Sequence, residues 1–119
     1  MSDPKPPIQV DLAWDRELRF TVRSGDAEFA LDGNQRTGPS PMQALAAALA
    51  GCMAIDLVHI LSKGRQPPVA LQARLIGERA DTEPRRFERI RLHYTVQGSV
   101  PAGTIDRAIA LSREKYCSV

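Results

Sequence analysis

The stretch SPMQALAAALAGCMAIDLVHILSKG, residues 40–64, decides the fold. Ser40 suits a helix N-cap, Pro41 the first helical position, and Gln43 the third position of a capping box. The pattern predicts a helix from about Pro41 to Ser62 that stops at Lys63 and Gly64, where a basic residue followed by glycine ends a helix well. Ala44, Ala46, Ala47, Ala48, Ala50 and Gly51 make its central part small-sided. Another backbone can approach such a surface closely, so the helix is expected to be buried on most sides.

Upstream, Ile8 to Trp14 alternates apolar and polar residues with the period of a strand, Asp15 and Arg16 read as a turn, and Leu18, Phe20 and Val22 alternate again. Ser24, Gly25 and Asp26 turn the chain into a shorter strand over Ala27 to Leu31. Downstream, Val69 to Arg79 and Arg86 to Gln97 form two long alternating strands joined across Asp81 to Pro84. The second strand carries Ile90, Leu92, Tyr94 and Val96 on one face and Arg89, Arg91 and His93 on the other. A second helix is expected from about Thr104 to Lys115, with Ile105, Ala108, Ile109 and Ser112 along one stripe. The order β-β-β-α-β-β-α defines an α+β protein with antiparallel sheets packed against its helices.

A chain of 119 residues fits one domain spanning 1–119, with the short, polar, proline-rich residues 1–7 expected to be flexible. Hydrophobic residues at 43% and charged residues at 25% exclude a disordered or fibrous class. With three Phe, two Tyr and one Trp, the core must be aliphatic, and a dimer interface is a natural place to bury more of it. A formal charge of +2 argues against nucleic acid as a partner. Arg85, Arg86, Arg89 and Arg91 form a local basic run, either a solvated strand and turn or an anion-binding surface; it has no interleaved aromatics for base stacking. The apolar run from Ala44 to Ile55 is interrupted by glycine and shorter than a bilayer requires, and no signal core follows the N-terminus. The expectation is therefore no membrane association and a cytoplasmic location.

Cys52 and Cys117, in a chain without an export signal, are expected to rest as reduced thiols. They are too few for a tetrathiolate zinc site and are not spaced as CxxC, so a metal would need His59, His93 or Asp56. Asp56 and His59 follow Cys52 by four and seven residues and share its helix face. Read from spacing alone, Cys52 is either a buried small hydrophobe or a reactive thiol. A reactive thiol needs a positive group, because the nucleophile is the thiolate. Cys52 lies too deep in its helix for the first-turn amides to serve. Arg19 and Arg23, on the second N-terminal strand, are the candidate cations.

The block Gly38-Pro39-Ser40-Pro41-Met42-Gln43 followed by Leu45 to Val58, together with the ending Ala110 to Val119 around Cys117, resembles the OsmC/Ohr family of osmotically induced and organic hydroperoxide resistance proteins. The resemblance covers essentially the whole chain. It implies an intertwined homodimer with curved antiparallel sheets around long central helices. It also implies that Cys52 attacks a small hydroperoxide and becomes a sulfenic acid, and that Cys117 resolves it as a disulfide. A dithiol or lipoyl-bearing protein would then reduce the pair, with no metal or organic cofactor.

Three departures from the family pattern stand out. Where the hydroperoxide reductases carry Asn-Pro-Glu before the helix, this chain has Ser40, Pro41 and Met42, so the glutamate that holds the catalytic arginine is missing. The adjacent Gln43 offers hydrogen bonds without charge. The arginine itself is matched by no motif, and Arg19 is preferred over Arg23 by its place on the strand. Family members also continue from the second cysteine into a final strand, whereas these residues end at Val119. The Ser-Pro-Met form is more similar to the broad OsmC-like subgroup, which keeps open a non-enzymatic dimer that binds a small hydrophobic ligand or senses redox state.

Overall fold

The computed structural model describes residues 5–116, so Cys117 and most of the N-terminal tail lie outside the described residues. The chain forms two compact units, one reaching to Leu45 and the other starting at Ala46. The observed element order is the expected β-β-β-α-β-β-α, with two antiparallel sheets.

In the first unit, β1 (Asp11–Arg16), β2 (Arg19–Ser24) and β3 (Ala27–Asp32) form a meander with β2 at its centre. Its register runs from Asp11 opposite Arg23 to Trp14 opposite Phe20, and from Arg19 opposite Asp32 to Ser24 opposite Ala27. Val22, on the central strand, is the buried aliphatic residue of this sheet. Two boundaries differ from expectation. β1 starts at Asp11 rather than Ile8, because the Ser24 hydroxyl donates to the Gln9 carbonyl at 2.8 Å where the ladder would have continued. The turn moves from Asp15-Arg16 to Glu17-Leu18. Glu17 takes the left-handed conformation there (φ 48°), and the Trp14 indole N–H donates to its carbonyl at 2.9 Å. The loop after β3 folds tightly onto the sheet: a Cβ at Gly38 would stand 2.6 Å from the Ala30 carbonyl oxygen, so only glycine fits.

Helix α1 (Pro41–Lys63) begins in the first unit and continues through the second. Both halves of the capping box are made, with the Gln43 amide donating to Ser40 Oγ at 3.2 Å and the Ser40 amide donating to Gln43 Oε1 at 2.9 Å. At the other end, the Gln66 amide reaches the Leu61 carbonyl (2.9 Å) and the Arg65 amide the Ser62 carbonyl (3.1 Å), a Schellman closure. The residue in left-handed conformation is Arg65 (φ 59°), one position after the glycine that marks the stop in the sequence.

The second unit adds β4 (Ala70–Arg79), β5 (Phe87–Gln97) and α2 (Ala102–Leu111), whose end widens into a π-turn over Ser112–Tyr116. Leu57, Leu61 and Ala108 form its core, with Ile60, Leu71, Tyr94, Val96, Val100 and Ile109 packed around them. Burying a leucine such as Leu57 completely stabilises by about 2–3 kcal/mol. The basic run is divided by the hairpin loop. Arg79 and Arg85 donate through Nε to the carbonyls of Arg85 (2.8 Å) and Ala80 (3.2 Å), which makes both part of the loop's frame.

The expectation that α1 is covered on most sides does not hold for one chain. Met53, Leu57 and Leu61 are buried, but Leu45, Ile55 and Val58 are exposed. At 23 residues, α1 is also long and apolar enough to cross a membrane by length and composition. Counting only the uninterrupted run Ala44–Ile55 underestimates it, because Gly51 continues the helix and apolar residues resume beyond Asp56.

Candidate active site

The sequence-predicted site residues divide between the two units. Arg19, Arg23 and Gln43 belong to the first, and Cys52, Asp56 and His59 to the second.

In the first unit the two candidate arginines have different surroundings. Arg19 is held at two points: Nε donates to Thr37 Oγ1 at 2.9 Å and Nη1 pairs with the Asp15 carboxylate four residues earlier. Its side chain is only 25% exposed, and Nη2 takes no bond among the described residues. Thr37 is itself fixed, because its hydroxyl donates to Asp32 Oδ2 at 3.0 Å and its amide to the same oxygen at 3.1 Å. Asp32 ends β3 and is buried, accepting further bonds from the amides of Asn34 (2.8 Å) and Arg36 (3.3 Å). The Asn34 amide, followed by the Thr37 amide and hydroxyl and the Arg36 amide, holds the Asp32 carboxyl below its ordinary range against the opposing effect of burial. Arg23, by contrast, is 69% exposed and stands 3.6 Å from Glu28. Gln43 is engaged at both ends of its amide, with Oε1 in the capping box and Nε2 donating to Gln35 Oε1 at 3.3 Å.

In the second unit Cys52 is half-buried on α1. One turn on, Asp56 Oδ2 accepts a 2.7 Å hydrogen bond from the hydroxyl of Ser112, which is fully buried. That bond joins α1 to the first residue of the π-turn. The carboxylate is thereby committed to a structural contact, and His59, exposed, faces a concavity of about 470 Å³ shared with Asp56, Ile60, Lys63 and Leu111. A second concavity of about 370 Å³ is lined by Leu49, Met53, Ile90, Leu92, Tyr94 and Ile109, with Arg113 among them. Leu49 and Met53 are the residues three before and one after Cys52, so an apolar recess flanks the cysteine's own turn. Across it, the Tyr94 hydroxyl donates to the Ala50 carbonyl at 3.3 Å.

Arg113 is the lining residue that sequence reasoning missed. Its signal was available, since it stands four residues before Cys117 within the C-terminal block already singled out. Among the described residues no group of three or more His, Cys, Asp or Glu side chains is placed to hold a metal ion.

Comparison with known proteins is consistent with this architecture. The family model described as OsmC-like protein matches residues 32–119. Protein YhfA of Escherichia coli K12 is 41% identical over 115 residues, covering 94% of this chain and 86% of YhfA. The crystal structure of a hypothetical protein from Aquifex aeolicus VF5 superposes with a TM-score of 0.88 at 30% identity, over 96% of this chain and 84% of the other. The organic hydroperoxide resistance protein OhrB of Bacillus subtilis shares the fold at 17% identity, with a TM-score of 0.59 over 94% and 86% of the two chains. With a family model that spans most of its length and a curated relative at 41% identity, the chain belongs to the OsmC-like protein family.

Proposed function

We propose that the protein is a thiol-dependent peroxidase that reduces organic hydroperoxides or hydrogen peroxide and works as a homodimer in the reducing cytoplasm. The observation that carries the reading is a half-buried cysteine on a doubly capped helix, with an apolar recess formed by its own neighbours Leu49 and Met53. An organic hydroperoxide needs an apolar wall for its carbon chain and a thiol beside it. Membership in a family that includes organic hydroperoxide resistance proteins supports the same chemistry.

In this reading the Cys52 thiolate attacks the terminal peroxide oxygen. The S–O bond forms as the O–O bond breaks, and the alkoxide takes a proton and leaves as the alcohol. The Cys117 thiolate then attacks the sulfenic sulfur, the S–S bond forms as the S–O bond breaks, and the departing hydroxide takes a proton and leaves as water. Two electrons and two protons from a dithiol or lipoyl-bearing protein restore both thiols. Arg19 is the proposed cation of the cycle. Asp15 supplies the carboxylate partner that the family pattern would place at Met42, and Nη2 is left for an oxygen ligand.

The exposed apolar side chains of α1, Leu45, Ile55 and Val58, support the homodimer, since an apolar stripe of this kind needs a cover. A second copy suits the helix better than lipid does, because Asp56, His59 and Lys63 share its length and a bilayer core would leave them unsolvated.

The test is hydroperoxide consumption with a dithiol present. Cys52→Ser is expected to reduce turnover by at least about 10²-fold, the scale expected for loss of a nucleophile. Turnover retained in that variant would overturn the assignment in favour of a dimer that binds a small hydrophobic ligand without chemistry.

A further inference from the structure

We propose that the outward face of the β4–β5 hairpin is a docking surface for an acidic protein, an interaction separate from the peroxidase site. The register places Arg74 directly opposite His93, Ile76 opposite Arg91, and Gln72 opposite Thr95. All six are exposed. They alternate with Leu71, Leu75, Leu92, Tyr94 and Val96, which are half-buried on the other face, where Leu71, Tyr94 and Val96 pack on the core. The outward face includes an open concavity of about 720 Å³, whose lining contains Arg74, Ile76 and His93.

Among the described residues, two guanidinium groups on this face have no carboxylate partner. The other hairpin arginines have local partners: Arg89 stands 3.8 Å from Glu78, Arg86 stands 3.7 Å from Glu88, and Arg79 and Arg85 bond loop carbonyls. Arg74 and Arg91 make no ion pair among the described residues, although they flank the same aliphatic side chain, Ile76. Arg74 and Arg91 are diagonal neighbours across the two strands, close enough for one anionic partner to engage both guanidinium groups.

Three features select a protein as that partner. The β4–β5 ladder engages the strands' facing backbone N–H groups, leaving no cradle of free amides for a small anion between the strands. The face presents no aromatic ring on which a base could stack, since Tyr94 points the other way. Ile76, 46% exposed between the two arginines, supplies the apolar centre with an arginine rim that protein interfaces favour. A surface of aspartate or glutamate around an apolar side chain is its complement, with an association rate that falls as salt rises.

The experiment is fluorescence anisotropy with a labelled peptide of alternating glutamate pairs and leucines, titrated with the whole protein at low and physiological salt. A labelled thymidine oligomer and unlabelled tripolyphosphate are run in parallel. The proposal expects saturable peptide binding that weakens with salt. The Arg74→Glu/Arg91→Glu variant should weaken it by about tenfold or more, while Arg107→Glu, which carries one of the same charge changes on α2, should stay within about twofold. Failure of the peptide to bind, tighter binding of the oligomer, full displacement by tripolyphosphate at equal charge, or an equal loss in Arg107→Glu would each overturn it. Peroxidase turnover in the double variant is expected to match the parent, so this proposal and the assigned activity fail separately.

Discussion

The two units of this chain are organised by opposite kinds of interaction. The unit ending at Leu45 buries Val22 and little else that is aliphatic, and its order comes from a polar chain in which Asp32 fixes Thr37, Thr37 fixes Arg19, and Arg19 is anchored to Asp15. The unit from Ala46 onward is held by Leu57, Leu61 and Ala108, and its principal polar tie between helices is the Asp56–Ser112 bond. Each candidate residue therefore has the kind of surroundings its own unit supplies, Arg19 among hydrogen bonds and Cys52 beside apolar side chains. Hydrogen bonds together with an ion pair fix a guanidinium in one orientation, and hydrocarbon walls suit an organic ligand.

The largest effect that tests this division is at the arginines. If rigidity distinguishes Arg19 from the solvated Arg23, then Arg19→Gln should lower kcat/KM for an organic hydroperoxide by about 10²-fold, the scale seen for loss of a preorganised electrostatic donor. Arg23→Gln should change it by no more than about twofold. The helical circular-dichroism signal separates catalysis from simple damage, since the proposed role of Arg19 requires activity to fall while that signal is unchanged. Equal effects of the two substitutions would remove the distinction.

A smaller effect separates the units by acid. The folded-state Asp32 carboxyl titrates below its ordinary value, so it contributes stability that is fully present above about pH 4, its unfolded range, and is lost as pH falls through the lower folded value. Trp14, the one tryptophan, lies on β1 and reports this unit. Denaturation followed by Trp14 emission is expected to show falling stability below that pH, and Asp32→Asn should flatten the dependence. Parallel slopes in the two proteins would show that the cage is not what holds the first unit.

The same contrast explains what was legible in the sequence. Apolar periodicity specifies the β4–β5 hairpin and the Ile105, Ala108, Ile109, Ser112 stripe, because burial repeats with the geometry of the element, whereas α1 is specified by its cap, its small-sided centre and its Lys63-Gly64 stop. The capping box could be read for the same reason, as a local pattern at fixed spacing, and both its bonds are present. The Asp15–Arg19–Thr37–Asp32 chain could not be read. Its directly bonded members are 4 to 18 residues apart along the chain and meet only through the register of three strands and a loop held against β3 by Gly38. Met42 in place of a glutamate suggested a missing partner for the arginine. Arg19 does have a carboxylate beside it, that of Asp15 near the end of β1, just before a turn displaced by two residues from where composition puts it. The solvent exposure of α1 was also hidden, since small residues predict close approach without saying whether the approaching surface belongs to the same chain.

The most direct test of the central claim is a mass measurement on the fully reduced protein after one equivalent of an organic hydroperoxide, with peptides mapped under non-reducing conditions. The account predicts one Cys52–Cys117 linked peptide per chain, and in Cys117→Ser a Cys52 sulfenic acid that a dimedone-type probe captures. Cys52 recovered as an unmodified thiol while hydroperoxide disappears at the parent rate would contradict it.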